Sequence, residues 1–442
     1  MIEASSIRAW RQALVAASLL MLAALPAVAS PSQEAARGAL ATVAGQFCPD
    51  GLPHGLEDPE ALERRLSGYV LTGVEDAGPP EGWLRREVRL VASTSGLAVA
   101  ATGLRRGGQL RRLDIEVRTL GDDRALVLGL ADAGCRILQA RALLYGNGSG
   151  SAVELLLLAP DLESVVGREP LDPAVPPGED ATGVTVAHID SGVNYLLPQI
   201  AARLARDPEG RILGYDFWDL DPRPFDGDTG RSAFFPLRHG SEVASLLLAE
   251  APDIRLVPFR YPRPDMTRMG EVVAWARDAG AAIVALPMGS RHLDDWATFA
   301  AAAQAHPEML FIVSAGNDGR DIDAQPVYPA ALPLDNMVVV TSAEDDGSLA
   351  HGSNWGAVGV DLLVPAENLA VTGFAGSPAR RSGSSFAVPR VAALAARLKA
   401  AHPDWRAVEL KAAIFARAKA PPPRSAGAVA VGWLPKAMLR AD

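Results

Sequence analysis

The chain has 442 residues, of which 49% are hydrophobic, and a formal net charge of −10. That length exceeds what one hydrophobic core usually organises, so two domains are expected, and the apolar content can fill both. An acidic balance with no gathered basic patch argues against nucleic acid or an anionic membrane as the main partner.

The first 29 residues have the form of a secretory signal. Arg8 and Arg11 precede an apolar run from Ala13 to Leu25, and Ala27, Val28 and Ala29 give the small-x-small pattern of a cleavage site. The run is short for a membrane span, so cleavage after Ala29, a mature chain without an integral membrane segment, and a secreted or periplasmic location are expected. Cys48 and Cys135 are the only cysteines. In an oxidising compartment they can form one disulfide, the alternative being two buried thiols.

Residues 30–168 form a β-rich N-terminal domain by pattern. A helical opening (Gln33 to Arg65) is followed by apolar alternation at 87–91, 97–100, 113–117, 136–140 and 153–157, with glycine-rich breaks between, which predicts a small antiparallel sheet with hairpins. Asn147 begins a glycosylation sequon, although the surrounding glycines also suit a plain turn. Residues 169–180, rich in proline and charge, read as a linker.

Beyond the linker the pattern changes. Val184 to Ile189 is an apolar run ending in Asp190, and short apolar strands then alternate with helical stretches to about residue 420. This predicts an α/β fold, a doubly wound and mostly parallel sheet with functional residues at strand ends. Residues 421–442 read as a C-terminal tail.

Four segments of this region carry chemistry together, though each alone has an ordinary structural explanation. Asp190, at a strand end, can orient an imidazole, or it can simply cap a turn. His239 opens an apolar helix, whose positive end should keep the ring neutral and able to take a proton. Asn317 sits at the turn closing the strand Phe311 to Ser314, where its amide can donate to a developing oxyanion. Gly383, Ser384 and Ser385 pass directly into a helix with Pro389 in its early part, so a serine hydroxyl stands among free backbone N–H groups.

Asp190-Ser191-Gly192, His239-Gly240-Ser241, Ser314-Ala315-Gly316-Asn317 and Gly383-Ser384-Ser385-Phe386-Ala387-Val388-Pro389, in that order, resemble the subtilisin-like serine peptidases, the subtilase family, over about residues 180–416. The resemblance implies an exported serine endopeptidase with Asp190 as orienter, His239 as general base and then acid, Ser385 as nucleophile and Asn317 as oxyanion donor. Ser384 falls where Thr is usual and Phe386 where Met is usual. Residues 283–290 are similar to the strand along which the family lays its peptide substrate, with Met288 and Gly289 on the specificity-pocket wall. Pro287 departs from the usual Ser and removes a backbone N–H from that edge. The resemblance also implies a cis bond at Tyr328–Pro329.

The acidic, aromatic segment Gly214 to Asp228 either holds Ca²⁺ or forms a solvated loop at the cleft, and no other cofactor is required. Residues 30–168 are either an intramolecular prosegment, cut away at the linker, or a retained accessory domain. Two other functional classes fit parts of the pattern. A catalytically inactive binding or scaffold protein is suggested by Pro287 and the unusual loop before His239. An esterase would share the nucleophilic chemistry but lacks a Gly-x-Ser-x-Gly elbow around Ser385.

Overall fold

The computed structural model describes residues 33–79, 82–146 and 150–440. The expected signal segment at 1–29 and the sequon at Asn147 lie outside the described residues. The chain divides into two compact units, one of residues 1–143 and 156–168, the other of 144–155 and 169–442.

The first unit is built on an eight-stranded sheet in simple sequence order: β1 (Tyr69–Ala77), β2 (Arg85–Ala92), β3 (Leu97–Arg106), β4 (Gln109–Thr119), β5 (Ala125–Ala131), β6 (Ile137–Tyr145), β7 (Ala152–Leu158) and β8 (Val165–Pro170). Pairing from β1 through β6 is antiparallel, as expected of hairpins. Helix α1 (Gln33–Phe47) buries Ala36, Leu40, Val43, Ala44 and Phe47, a stripe at helical spacing, and lies against β3, β4 and β5. Three strands go beyond the sequence expectation. β5 is buried along its whole length and so lacks alternation, β1 is exposed over its acidic end, and β8 is short and has no fully buried residue.

The second unit has a parallel sheet in the order β10, β11, β9, β12, β13, β14, β15, β18. Its strands are β9 (Thr185–Asp190), β10 (Tyr215–Asp216), β11 (Arg255–Arg260), β12 (Ile283–Leu286), β13 (Leu310–Ser314), β14 (Met337–Ala343), β15 (Leu362–Pro365) and β18 (Gly432–Trp433). A small antiparallel pair, β16 (Leu369–Thr372) with β17 (Pro378–Arg381), stands apart. The fold is the doubly wound α/β arrangement that the alternation predicts. Alternate strand residues feed two cores: Val186, Ile283 and Ala285 face one, while Ala187, Ile189, Val284 and Leu286 face the other. Helices α2 (Gly240–Glu250), α5 (Ser384–Ala401) and α6 (Ala407–Phe415) fill the first, and α3 (Met269–Asp278) and α4 (Ala297–Ala305) fill the second. The segment expected to be a tail instead supplies β18, pairing Gly432 and Trp433 with Leu362 and Leu363.

The chain runs from β9 outward through β10 and β11, then returns to the other side of β9 with β12. A crevice therefore opens at the carboxyl ends of β9 and β12, the switch point where α/β sheets place their ligands. Asp190 ends β9, and Pro287, Met288 and Gly289 follow β12. No helix among the described residues is long and apolar enough to cross a membrane.

Cys48, just after α1, is disulfide-bonded to Cys135 at a sequence separation of 87, with Cα atoms 5.8 Å apart. In the chain-entropy account such a bridge contributes about 4 kcal/mol by restricting the unfolded chain. Replacing both cysteines by serine is expected to lower the stability of the first unit by about that amount, read from its urea midpoint; an unchanged midpoint would remove the bridge from any stabilising role.

Candidate active site

His239 is the N-cap of α2, and its Nδ1 lies 2.8 Å from both carboxylate oxygens of Asp190. Asp190 is 3% exposed and also accepts the Ser191 N–H at 2.7 Å. With Nδ1 donating to the carboxylate, Nε2 is left as the ring's acceptor. The approach of the two segments depends on Gly240, where a Cβ would stand 2.0 Å from the Gly192 carbonyl oxygen. No larger residue could follow His239 without driving it away from Asp190.

The start of α2 is held by groups the motifs did not identify. Ser191 Oγ accepts the N–H of Gly240 at 2.9 Å and of His239 at 3.3 Å, and donates to Asp226 Oδ1 at 2.6 Å. Asp226 Oδ2 accepts the Ser241 N–H at 2.8 Å. The free N–H groups of the first turn are thus satisfied by side chains from other segments. His188 is a further neighbour. Completely buried, it donates from Nε2 to the Gly240 carbonyl at 3.0 Å, and that nitrogen is 3.8 Å from Asp190 Oδ2. Burial holds its pKa below the ordinary value, so it is a neutral ring beside the carboxylate.

The expectation that the helix end keeps His239 readily neutral is corrected by its surroundings. Burial does oppose the imidazolium, but the carboxylates of Asp190, Asp226 and Glu242 outweigh it and hold the pKa above the ordinary 6.5. Burial likewise opposes ionisation of Asp190, yet its contact with His239 keeps it below the usual carboxylate range. Burial pushes Asp226 up to about 6, against the hydrogen bonds from Ser191 and Ser241 and the charge of Arg238, which donates to its backbone carbonyl.

Ser384 and Ser385 open α5, as expected, after Gly383 at φ 121°. Pro389 stands deeper than the first turn: it is the sixth helical residue, and its missing N–H leaves the Ser385 carbonyl without its usual i+4 donor. Asn317 Oδ1 accepts both the N–H of Ser384 at 2.9 Å and its hydroxyl at 3.0 Å. A backbone N–H can only face an oxygen, so this contact fixes the amide orientation and leaves Nδ2 as a donor. A Cβ at Gly383 would come within 3.1 Å of that Oδ1. Ser384 Oγ also lies 3.2 Å from Ser314 Oγ at the end of β13. The turn carrying Asn317 is clamped by fully buried Asn354, which donates to the Ala315 carbonyl at 2.8 Å and accepts the N–H groups of Asp318 and Arg320 at 2.9 and 3.0 Å.

Ser385 Oγ donates to the Pro287 carbonyl at 3.2 Å, and among the described residues it makes no hydrogen bond to His239. The next residue, Phe386, places its ring 5.8 Å from the imidazole, so both segments border one crevice. Met288 and Gly289 follow Pro287 against the strand pairing of Ser290 with Tyr328, and a Cβ at Gly289 would meet the Tyr328 carbonyl at 2.6 Å. Tyr328–Pro329 is cis, as expected, and so is Arg263–Pro264. In the acidic loop, Asp216 and Asp219 pair with Arg260, Asp221 with Arg223, and Asp228 with the Tyr261 hydroxyl. No cluster of three or more metal-type ligands occurs among the described residues.

An α/β domain that holds a carboxylate-bound imidazole at the mouth of one strand, and a serine among free N–H groups at a facing helix start, has the parts of a nucleophilic hydrolase. The sequence pattern of the Subtilase family matches residues 181–432, more than half of the chain, and the chain belongs to that family. A thermophilic serine proteinase of Bacillus sp. (strain AK1) is 27% identical over 233 residues, 49% of this chain and 52% of the relative. Subtilisin BL of Lederbergia lenta is 25% identical over 248 residues, 53% of this chain and 82% of the relative. This chain therefore spans only about half the length of the first of these relatives. The crystal structure of a cold-adapted subtilisin-like serine proteinase aligns with 60% of this chain and 93% of its own at 24% identity and a TM-score of 0.48.

The carboxylate field gives a pH prediction. Activity requiring a neutral His239 should rise with pH through a value above 6.5, a window in which Asp226, with its pKa of about 6, is largely ionised. Asp226→Asn removes one of the charges that favour the imidazolium, so the acid limb of kcat/KM is expected to move to lower pH. A limb that stays in place in a folded variant would show that this charge does not reach the imidazole.

Proposed function

We propose that this chain is an exported serine endopeptidase. The observation that carries the proposal is the buried Asp190 carboxylate binding His239 through Nδ1, with Ser385 at the adjoining start of α5. In the reaction, the Ser385 hydroxyl leaves the Pro287 carbonyl and turns to His239 Nε2, a side-chain rotation of the fast kind. Nε2 takes its proton as Oγ attacks the peptide carbonyl. The resulting oxyanion receives Asn317 Nδ2–H and the Ser385 N–H, which has no acceptor among the described residues. The imidazolium, stabilised by Asp190, gives its proton to the leaving amine. Water then attacks the acyl-enzyme by the same steps in reverse, and Asp190 remains ionised throughout.

Membership of the Subtilase family supports peptide substrates. Export is supported by Arg8, Arg11 and the apolar run to Leu25, and by the Cys48–Cys135 disulfide, which suits an oxidising compartment. The chain's own residues supply every step above, and calcium has no part in it.

One observation favours a second function, that of an inactive binding protein: Ser385 Oγ rests on Pro287 and not on the imidazole. Labelling by a fluorophosphonate separates the two, because only an activated serine reacts. Ser385→Ala is expected to lose casein hydrolysis by on the order of a million-fold, the loss known for the nucleophile of subtilisin. Hydrolysis by the purified variant at the wild-type rate would end the proposal. Asn317→Ala is expected to lower kcat by roughly 100- to 1,000-fold, again the loss known for the oxyanion asparagine of subtilisin, with KM little changed. An equal loss carried in KM would assign Asn317 to substrate binding.

A further inference from the structure

The segment before His239 forms a loop whose ends pair with each other, the N–H of Asp228 donating to the Leu237 carbonyl at 3.0 Å and that of Leu237 to the Asp228 carbonyl at 2.8 Å. Between this loop, the first turn of α2 and the end of β17 lies an open cleft of about 600 Å³ that reaches His239 and Phe386. Its walls are partly apolar, for Phe235 and Leu237 are 39% and 55% exposed at its edge.

The charged groups of this cleft are engaged to different degrees. Glu242 is bound through both oxygens by Arg381, each contact 2.5 Å. Asp228 is engaged by the Tyr261 hydroxyl at 2.6 Å and the Gly230 N–H at 2.8 Å, and Arg238 is paired with Glu169. Both carboxylates lining the cleft thus have their oxygens hydrogen-bonded, Glu242 by a cation and Asp228 by neutral donors. Arg231, exposed at the rim, has no carboxylate partner among the described residues. Asp228 and Arg231 balance in formal charge, but the Asp228 oxygens already accept hydrogen bonds, so the unmet capacity in this partly apolar cleft is that of the Arg231 guanidinium.

The position of the cleft decides which part of a peptide it would meet. The carbonyl being attacked belongs beside Asn317, and Met288 and Gly289 stand with that acyl side; none of the three lines the cleft. His239, which does, hands its proton to the departing amine. The cleft therefore lies on the side of the residue that supplies the amine.

We propose that this cleft selects substrates with an acidic residue, Glu or Asp, immediately after the scissile bond, and that Arg231 is the specificity-determining group. The inference rests on the peptidase function proposed above and names a substrate class for it. An acidic side chain with an aliphatic stem, as in Glu, matches a cation over an apolar wall, and a guanidinium binds a carboxylate through two parallel hydrogen bonds.

The test uses the full chain and quenched fluorescent peptides with one fixed acyl-side sequence, in which the first residue after the cleaved bond is Glu, Gln, Lys or Leu. The quantity read is the ratio of kcat/KM for Glu over Gln, which cancels differences in the amount of active enzyme. For the wild type the ratio is expected to be about three- to fivefold at low salt and to fall at high salt, as for an exposed ion pair at the upper end of its usual strength. Arg231→Gln should bring it close to one, and Arg231→Glu should favour Lys over Gln. A wild-type ratio within twofold of one, or an acid preference retained in Arg231→Glu, would overturn this inference while leaving the peptidase function intact. If wild-type protein cleaves no peptide and its Ser385 takes no fluorophosphonate, the peptidase function falls and this inference with it.

Discussion

A carboxylate taken out of water must be compensated where it stands, and Asp190 is the group on which the rest of the site depends. At 3% exposure it would bear a desolvation cost of several kcal/mol if left alone. Its compensation comes from His239 Nδ1 at 2.8 Å to each oxygen and from the Ser191 N–H at 2.7 Å. Because the carboxylate ends a central strand it cannot move, so the imidazole has to come to it. That requirement explains Gly240, whose missing Cβ lets α2 start against the Gly192 carbonyl. It also explains why a neutral His188 can be tolerated nearby, since its N–H is spent on the Gly240 carbonyl and adds no charge to the buried pair.

Two helix starts border the crevice, and they are treated in opposite ways. At α2 the free N–H groups of His239, Gly240 and Ser241 are taken by Ser191 and Asp226, so the positive end is largely neutralised, and the field felt by the imidazole is that of carboxylates. At α5 one donor is taken, the Ser384 N–H by Asn317 Oδ1, and the same contact turns the amide so that Nδ2 is free. The next donor, on Ser385, stays open. One helix start therefore supports a positive charge on the imidazole, and the other keeps donors for a negative charge on oxygen, as acyl transfer demands of its base and its oxyanion.

The residues of the candidate site stood out in the sequence because each lies in a short local signature: Asp190 at the end of an apolar run, His239 and Ser385 at helix starts, Asn317 in a glycine-flanked turn. The groups that hold them were not legible. Asp226 acts on residues 191 and 241, and Asn354 acts on the turn at 315–320, so neither has any local pattern that announces its partner. His188 stands in plain view two residues before Asp190, but a histidine within an apolar strand carries no signal of which carbonyl it will meet. For the fold, strand alternation found the half-buried strands of the first unit and missed β5, whose Ala, Leu, Val and Gly residues are buried throughout and therefore show no period. β18 was missed for a different reason: two residues are too short for any periodicity, and only the neighbouring β15 makes them a strand.

Pro287 joins the substrate edge to the nucleophile. β12 ends at Leu286, and proline leaves the next position with a carbonyl and no N–H. A strand edge that has lost a donor offers an extended peptide one hydrogen bond fewer, and the carbonyl that remains is occupied by the Ser385 hydroxyl at 3.2 Å. On the proposed function, an incoming peptide strand that donates to the Pro287 carbonyl would displace that hydroxyl. The acceptor to which the displaced hydroxyl would then turn is Nε2 of His239, which Asp190 holds in the tautomer able to receive a proton. Substrate pairing along β12 and activation of the serine would then be one event, and the resting hydrogen bond to Pro287 would keep the nucleophile idle until a peptide lies in register.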